Sequence, residues 1–267
     1  MPFTAACLTP FEHGARACLL SVSARSRPRE MNVTCSLPSF MTYFDQHASE
    51  LRRDQLVDKA AAVMPLFDGL PAGAHIVEVG AGTGLYTLPL ADAGFRVTAV
   101  DLSAASLAEL QKAAEVAGVA DRIAVVVGDI RDVVPIDADC VSFLKVLHHF
   151  ESADAIGETL RAAWSGADRL VIFEPNGANP LWPVRFRIQG RDIAHAERNI
   201  RLIRARFFDE TLRALPDARV MRAYRYLIPG TIAVRSATLG RIDRALTRIP
   251  GLRAIALNLA YRVDRAL

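Results

Sequence analysis

The sequence predicts an α/β fold of the doubly wound type, a mostly parallel sheet with helices on both faces. Between residues 75 and 174, apolar β-branched runs alternate with helix-length amphipathic segments, the order of successive βα units. The runs are near-continuously apolar rather than alternating, as strands buried on both faces require. The first run breaks into a glycine turn, H-I-V-E-V-G-A-G-T-G over His75–Gly84, and the second, R-V-T-A-V-D over Arg96–Asp101, ends in a carboxylate.

The elements follow in order. Asp45–Phe67 has Leu51, Leu56, Ala60 and Val63 spaced for one helical face. Asp68–Gly73, D-G-L-P-A-G, is a break. Strand 75–79 leads through the glycine turn to a helix near 84–93, then to strand 96–100. Pro89 is compatible with that helix only if it starts late and places the proline in its first turn. Ser103 is placed to cap a helix that runs through Ala117 and stops at Gly118. Strands 122–127 and 139–144, a helix over 152–165 and strand 169–174 complete the alternation. Further on, Phe208–Leu215 reads as helix and Ala218–Tyr226 as strand. Ala254–Val263 alternates Ile255, Leu257, Leu259, Tyr261 and Val263 against Ala254, Ala256, Asn258, Ala260 and Arg262, a final strand. Its alanines and leucines also suit a terminal helix.

Residues 1–40 differ from the rest, with four prolines, three of the four cysteines and no sustained period. They read as a disordered or extended N-terminal tail, or as an upstream extension ahead of Met41. Glu12, His13 and Arg16 interrupt any apolar core of a signal peptide. No run approaches the ~18 apolar residues of a membrane span. No Cys/His spacing suits zinc, and the adjacent pair His148-His149 is not a metal site, so no metal is expected. The cysteine usage suggests a reducing, cytoplasmic setting.

Charge is distributed unevenly. Residues 1–180 carry 14 basic and 22 acidic side chains, while residues 181–267 carry 18 arginines and only 7 acids. The plain reading is a solvated arginine surface. The sharper one is an anionic partner: lipid headgroups at the inner face of the membrane, or a phosphorylated or carboxylated acceptor. Aromatics interleave with arginine over 181–191, but the acidic first two-thirds count against nucleic acid.

The glycine turn can hold a nucleoside, with the carboxylate at the end of the next strand accepting bonds from ribose hydroxyls. The spacing is Gly80-x-Gly82-x-Gly84, and Leu85 occupies the third glycine position of the dinucleotide fingerprint. Glu78, two residues before the first glycine, would repel a pyrophosphate and suits a ligand bearing an ammonium group. On V-E-V-G-A-G-T-G and V-D-L-S the chain resembles the class I S-adenosylmethionine-dependent methyltransferases of small-molecule type. Two further stretches agree in order: R-I-A-V-V-V-G-D-I over Arg122–Ile130, and the strand 139–144 followed by Lys145-Val146-Leu147-His148-His149. The resemblance covers roughly 43–176.

The resemblance implies a Rossmann-like sheet of seven strands, one of them antiparallel, and S-adenosylmethionine as cofactor. Residues 41–267 would form the methyltransferase domain, with helical cap insertions at about 177–206 and 227–250. Carried onto this chain, the cofactor residues are Glu78, Gly80, Ala81, Gly82 and Gly84 in the loop, Asp101 and Leu102 at the ribose, Asp129 and Ile130 at the adenine, and Lys145. His148, His149 and Glu174 sit at the carboxyl ends of strands, where an acceptor would bind, and are the catalytic candidates. Each has a plain alternative as a packing or capping residue. Tyr43 and Phe44 are placed to close over the donor or to staple the first helix. In the second insertion, Leu239, Ile242, Leu246 and Ile249 recur at helical spacing beside Arg241, Arg244 and Arg248, the composition of a helix lying on an anionic membrane or of a packed cap. The expected partner is a small or lipid-like acceptor. Two other functions fit the residues: a nicotinamide-dependent oxidoreductase, which Leu85 disfavours, and a methyltransferase-like protein that binds without turnover.

Overall fold

The computed structural model describes residues 60–133, 137–183, 187, 198–227 and 236–266. The tail 1–40, Tyr43, Phe44 and most of the helix read over 45–67 lie outside them, as do parts of both insertions. The described chain opens with helix at 60–63 and a 3-10 turn, Met64–Leu66.

Seven strands form one sheet in the order β3-β2-β1-β4-β5-β7-β6. They are β1 (His75–Val79), β2 (Arg96–Asp101), β3 (Ile123–Val127), β4 (Cys140–Leu144), β5 (Arg169–Pro175), β6 (Ala218–Arg225) and β7 (Asn258–Arg265). β1 to β5 are parallel, and β7 runs antiparallel to both β5 and β6. The seven-stranded sheet with one reversed strand is therefore as the resemblance implies. Order reverses between β1 and β4, so a crevice opens at their carboxyl ends.

The helices among the described residues include α1 (Thr87–Asp92), α2 (Ala104–Ala117), α3 (Ile130–Val133), α4 (Ala153–Ser165), α5 (Ala205–Arg213), α6 (Ala237–Leu246) and α7 (Pro250–Arg253). α1 starts at Thr87, so Pro89 falls in its first turn, where a missing N–H costs nothing. Ser103 caps α2 through its side chain, and Gly118 closes the helix in the left-handed region. Ser152 caps α4 in the same way.

Successive residues of the central strands feed two cores. Ile76 packs with Leu88, Leu90, Leu107 and Leu110 on one face, and Val77 and Val79 with Ile156, Leu160 and Phe208 on the other. β4 and β5 are buried throughout. At the amino end of the sheet, Asp264 accepts from Arg169 Nε at 2.5 Å and Arg262 Nε at 2.8 Å, and both arginines also donate to the Asp68 carbonyl. No described helix is long and apolar enough to cross a membrane.

Two elements depart from the sequence reading. The last strand begins at Asn258, not Ala254, and runs to Arg265. Pro250 starts α7 instead, and the side-chain amides of Asn176 and Asn179 hold the carbonyls of Ala254, Ile255 and Ala256 off the sheet. Such side-chain bonds compete with a strand ladder in a way no periodicity shows. The helix read as 208–215 spans Ala205–Arg213, because Phe208 and Leu212 are the residues it buries.

Candidate functional site

The crevice at the switch between β1 and β4 is a cavity of about 420 Å³. Its walls come from the carboxyl ends of three strands: Gly80 after β1, Asp101 and Leu102 after β2, and Lys145 and Val146 after β4. Asp129, Ile130 and Arg131 close one side, and His149, Phe150 and Glu151 another.

The glycine loop owes its composition to packing as much as to ligand access. Gly80 has φ +71°, and a Cβ there would lie 2.4 Å from Val146 Cγ2. Gly84 has φ +94°, and its Cβ would lie 2.3 Å from Leu110 Cδ1. Both positions need the left-handed backbone and the missing side chain at once. The loop is tied to β2 twice: Gly80 and Ala81 donate to the Val100 carbonyl, and Gly82 N–H donates to Asp101 Oδ2 at 2.8 Å. The other oxygen, Oδ1, accepts from Ser103 N–H at 2.8 Å. Asp101 thus lies on the cavity wall with its orientation fixed by two backbone donors.

Beneath the loop, Glu78 is fully buried on β1. Its Oε2 accepts the Thr87 hydroxyl at 2.6 Å, and its Oε1 has no partner among the described residues. Burial, with a smaller contribution from the Asp101 charge, raises its carboxyl from 4.5 to about 8, against the lowering by the Thr87 bond. Tyr86 is buried nearby. Burial and the charges of Glu78 and Glu174 push its phenol well above the usual range, so it stays neutral. An orphaned carboxylate oxygen beside a neutral phenol favours a cationic neighbour. This meets the requirement of a ligand with ammonium or sulfonium charge, and the residues present fit S-adenosylmethionine.

On the opposite wall, Leu102 is 74% exposed and Ile130 is buried, both lining the cavity. Asp129 is held by Arg131, whose guanidinium donates to both its oxygens and reaches across to Glu151 Oε1 at 2.8 Å. That hydrogen bonding, opposed by slight burial, holds the Asp129 carboxyl below its usual range.

The three catalytic candidates separate. Glu174, fully buried on β5, accepts from Val146 N–H and Leu147 N–H through Oε1, both at 2.7 Å, and from His148 Nδ1 through Oε2 at 2.7 Å. His148 is 4% exposed and lies behind the wall with Glu174. His149 follows in the 3-10 turn Leu147–His149, exposed and lining the cavity, its ring centroid 4.0 Å from that of His148. Lys145 sits at φ +65°, donates to Asn258 Oδ1 and lies 4.9 Å from the Phe173 ring centroid. That left-handed lysine at a strand end is a strained position of the kind found at binding sites.

Of the residues read from the sequence, Gly80, Asp101, Leu102, Asp129, Ile130, Lys145 and His149 line the cavity. Glu78, Ala81, Gly84, His148 and Glu174 are buried and not part of its lining, and Gly82 is half-buried in the loop beside it. Phe150, Glu151 and Tyr86 were not legible; the only trace of the first two was their position directly after the histidine pair.

Residues 76–165 match the model of a methyltransferase domain. No curated protein matches the chain. Among solved structures, the plantazolicin methyltransferase BpumL in complex with SAH is similar over 85% of this chain and 88% of its own, at 11% identity and TM-score 0.53. The mitomycin 7-O-methyltransferase MmcR is similar over 79% of this chain at 17% identity and TM-score 0.50, and the chain spans only 54% of its length. An O-methyltransferase family 2 protein from Planctomyces limnophilus, in complex with apigenin, is similar over 87% of this chain and 62% of its own, at 16% identity and TM-score 0.51. At these identities the structures establish the shared fold. The domain match, covering the glycine loop, β2, β3, β4 and α4, is to a methyltransferase domain, so residues 76–165 carry the methyl-donor type of this fold rather than the nicotinamide one.

Proposed function

We propose that this protein transfers a methyl group from S-adenosylmethionine to a small or lipid-like acceptor. The observation that carries the reading is the unpartnered Oε1 of buried Glu78 under a glycine loop whose next strand ends in Asp101. The cofactor supplies an electrophilic methyl on a sulfonium, with a neutral thioether as leaving group. Asp101 has lone pairs remaining for ribose hydroxyls. Leu102 and Ile130 offer apolar faces for the adenine ring, with Asp129 toward its amino group. Glu78 supplies negative charge on the sulfonium and amino side. Lys145, fixed by Asn258, marks the boundary with the acceptor.

His149 is the candidate base. It lines the cavity, and an imidazole nitrogen can take the proton that an oxygen or nitrogen acceptor loses. Glu174 and His148 act as positioning residues: three bonds to one buried carboxylate fix the turn that carries His149. The test is calorimetry with S-adenosylmethionine, then a screen of metabolite extracts with labelled donor. Failure to bind the donor would reject the reading; binding without any labelled product would favour a non-catalytic relative.

We also propose peripheral contact with an anionic membrane. Ile242 and Ile249 are 44% and 48% exposed among the exposed Arg241, Arg244 and Arg248, while Asp243 on α6 and Thr247, just after its end, are buried. The apolar stripe read from the sequence is thus split, with half of it facing outward. Each basic residue near such a surface contributes about 1 kcal/mol, so association would be weak and salt-sensitive. Co-sedimentation with anionic and neutral liposomes at two salt concentrations tests it, and equal negligible binding to both would reject it.

A further inference from the structure

A second cavity, of about 360 Å³, lies at the edge strand β6 beneath α6 and α7. Five arginines line it: Arg222 and Arg225 from β6, Arg244 from α6, Arg248 between the two helices, and Arg253 from α7. Tyr224 stands among them, with the guanidinium carbons of Arg222 and Arg253 at 5.3 and 5.7 Å from its ring centroid. The cleft shares no lining residue with the cofactor cavity. The β6–β7–β5–β4 row places Arg225 beside Asn258, the residue that holds Lys145. At ~4.8 Å per strand, the cleft lies roughly 14 Å along the same sheet edge from Lys145.

Among the described residues, this charge is only partly neutralised. Arg222 is paired with Asp209. Among the described residues, neither Arg225, Arg244, Arg248 nor Arg253 has an acidic partner within ion-pair distance. Asp243 offsets part of the field, but its Oδ1 is used by the Leu227 N–H at 2.8 Å. Burial and the charge of Arg244 pull Arg225 below the usual guanidinium range, opposed by Tyr226 and Asp243. Guanidinium forks gathered around one hollow repel one another, and an anion in the hollow would relieve that repulsion. The fork geometry matches the oxygens of a phosphate, which can accept paired bonds from more than one arginine.

We propose that this cleft is a binding site for a phosphate group, carried either by a soluble phosphorylated molecule or by a phospholipid headgroup. The site stands whether or not the acceptor of methyl transfer is itself phosphorylated, because its lining is separate from the cofactor cavity. The lining suits such a ligand: arginines surround the hollow, and Tyr224 holds two of their guanidinium groups against its ring.

The experiment uses the full chain at low ionic strength. Calorimetry with inorganic pyrophosphate and with glycerol 3-phosphate tests the soluble source; co-sedimentation with vesicles of phosphatidic acid in phosphatidylcholine tests the headgroup. Saturable binding in at least one arm is expected, weakened about tenfold or more in the double variant Arg244→Gln/Arg248→Gln, since charge-assisted bonds are lost. Arg241→Gln, on the same helix but outside the cleft, should bind the soluble probes like the parent protein; on vesicles it leaves cleft binding unchanged and weakens only contact through the outward face of α6. Both variants replace exposed side chains, and unchanged melting temperature and donor affinity would show that the fold is intact. If the double variant does unfold, the single charge reversal Arg248→Glu takes its place. Binding to soluble probes alone would support the cleft and reject the membrane contact proposed above; binding to vesicles alone, lost in the double variant and kept in Arg241→Gln, would place the phosphate on a headgroup, and vesicle binding alone that Arg241→Gln weakens as much would overturn the cleft in favour of the membrane face. No binding in any arm, or equal binding by the double variant, would overturn the proposal.

Discussion

Asp101 and Gly82 are joined by a 2.8 Å hydrogen bond from the glycine N–H to Oδ2 of the carboxylate, which locks the tip of β2 to the loop after β1. The same carboxylate also receives Ser103 N–H. One side chain therefore shapes the loop and stands ready for the ribose. Asp101→Ala should weaken S-adenosylmethionine binding by about 1.5–3 kcal/mol, the range for hydrogen bonds to a charged group. Calorimetric titration measures this, and unchanged affinity would remove Asp101 from the site.

Glu78 gives a pH signature. Its carboxyl is raised from 4.5 to about 8 by burial, so near neutrality the ligand-free fold keeps a proton that the unfolded chain releases. Stability should therefore fall as pH rises from about 4.5 through about 8. Glu78→Gln should flatten that slope in melting curves. A cationic donor favours the ionised form, so binding at neutral pH should release close to one proton. Calorimetry in buffers of different ionisation enthalpy would detect the release, and its persistence in Glu78→Gln would assign it elsewhere.

The adjacent histidines should respond differently. His149→Ala should keep donor binding and lower turnover by about 100-fold or more, as loss of a general base does. His148→Ala leaves Glu174 Oε2 buried without its donor, which costs about 1–3 kcal/mol of stability. It should lower the melting temperature, and any loss of turnover should follow the displaced turn. Glu174→Ala strands three donors at once and should destabilise more than either.

Gly84→Ala tests the packing role of the loop. Its Cβ would overlap Leu110 Cδ1 at 2.3 Å while the backbone sits at φ +94°. Overpacking and left-handed strain together should cost about 2–4 kcal/mol. A melting curve indistinguishable from the parent would show that α2 yields at Leu110 without cost.

Much of this was legible locally. Strands β1 to β5, the Ser103 and Gly118 ends of α2 and the late start of α1 at Pro89 follow from apolar runs, caps and one proline, all encoded within a few residues of where they act. The glycine loop and Asp101 were legible for the same reason, because close spacing fixes which groups can meet. Local pattern failed at Ala254–Ala256, where distant Asn176 and Asn179 capture the carbonyls that a strand would need. It could not say which of His148 and His149 faces the cavity, because Glu174, 26 residues from His148, makes that choice through a buried bond. Nor could it show that arginines from β6, α6, α7 and the turn between them surround one hollow. The sequence by itself determined which segments become strands and which turn can hold a nucleoside, since hydrophobic periodicity and backbone stereochemistry act over short range. Only the tertiary structure decided which polar groups are paired, buried or left open, because hydrogen bonding and desolvation depend on neighbours that the chain brings together from far apart.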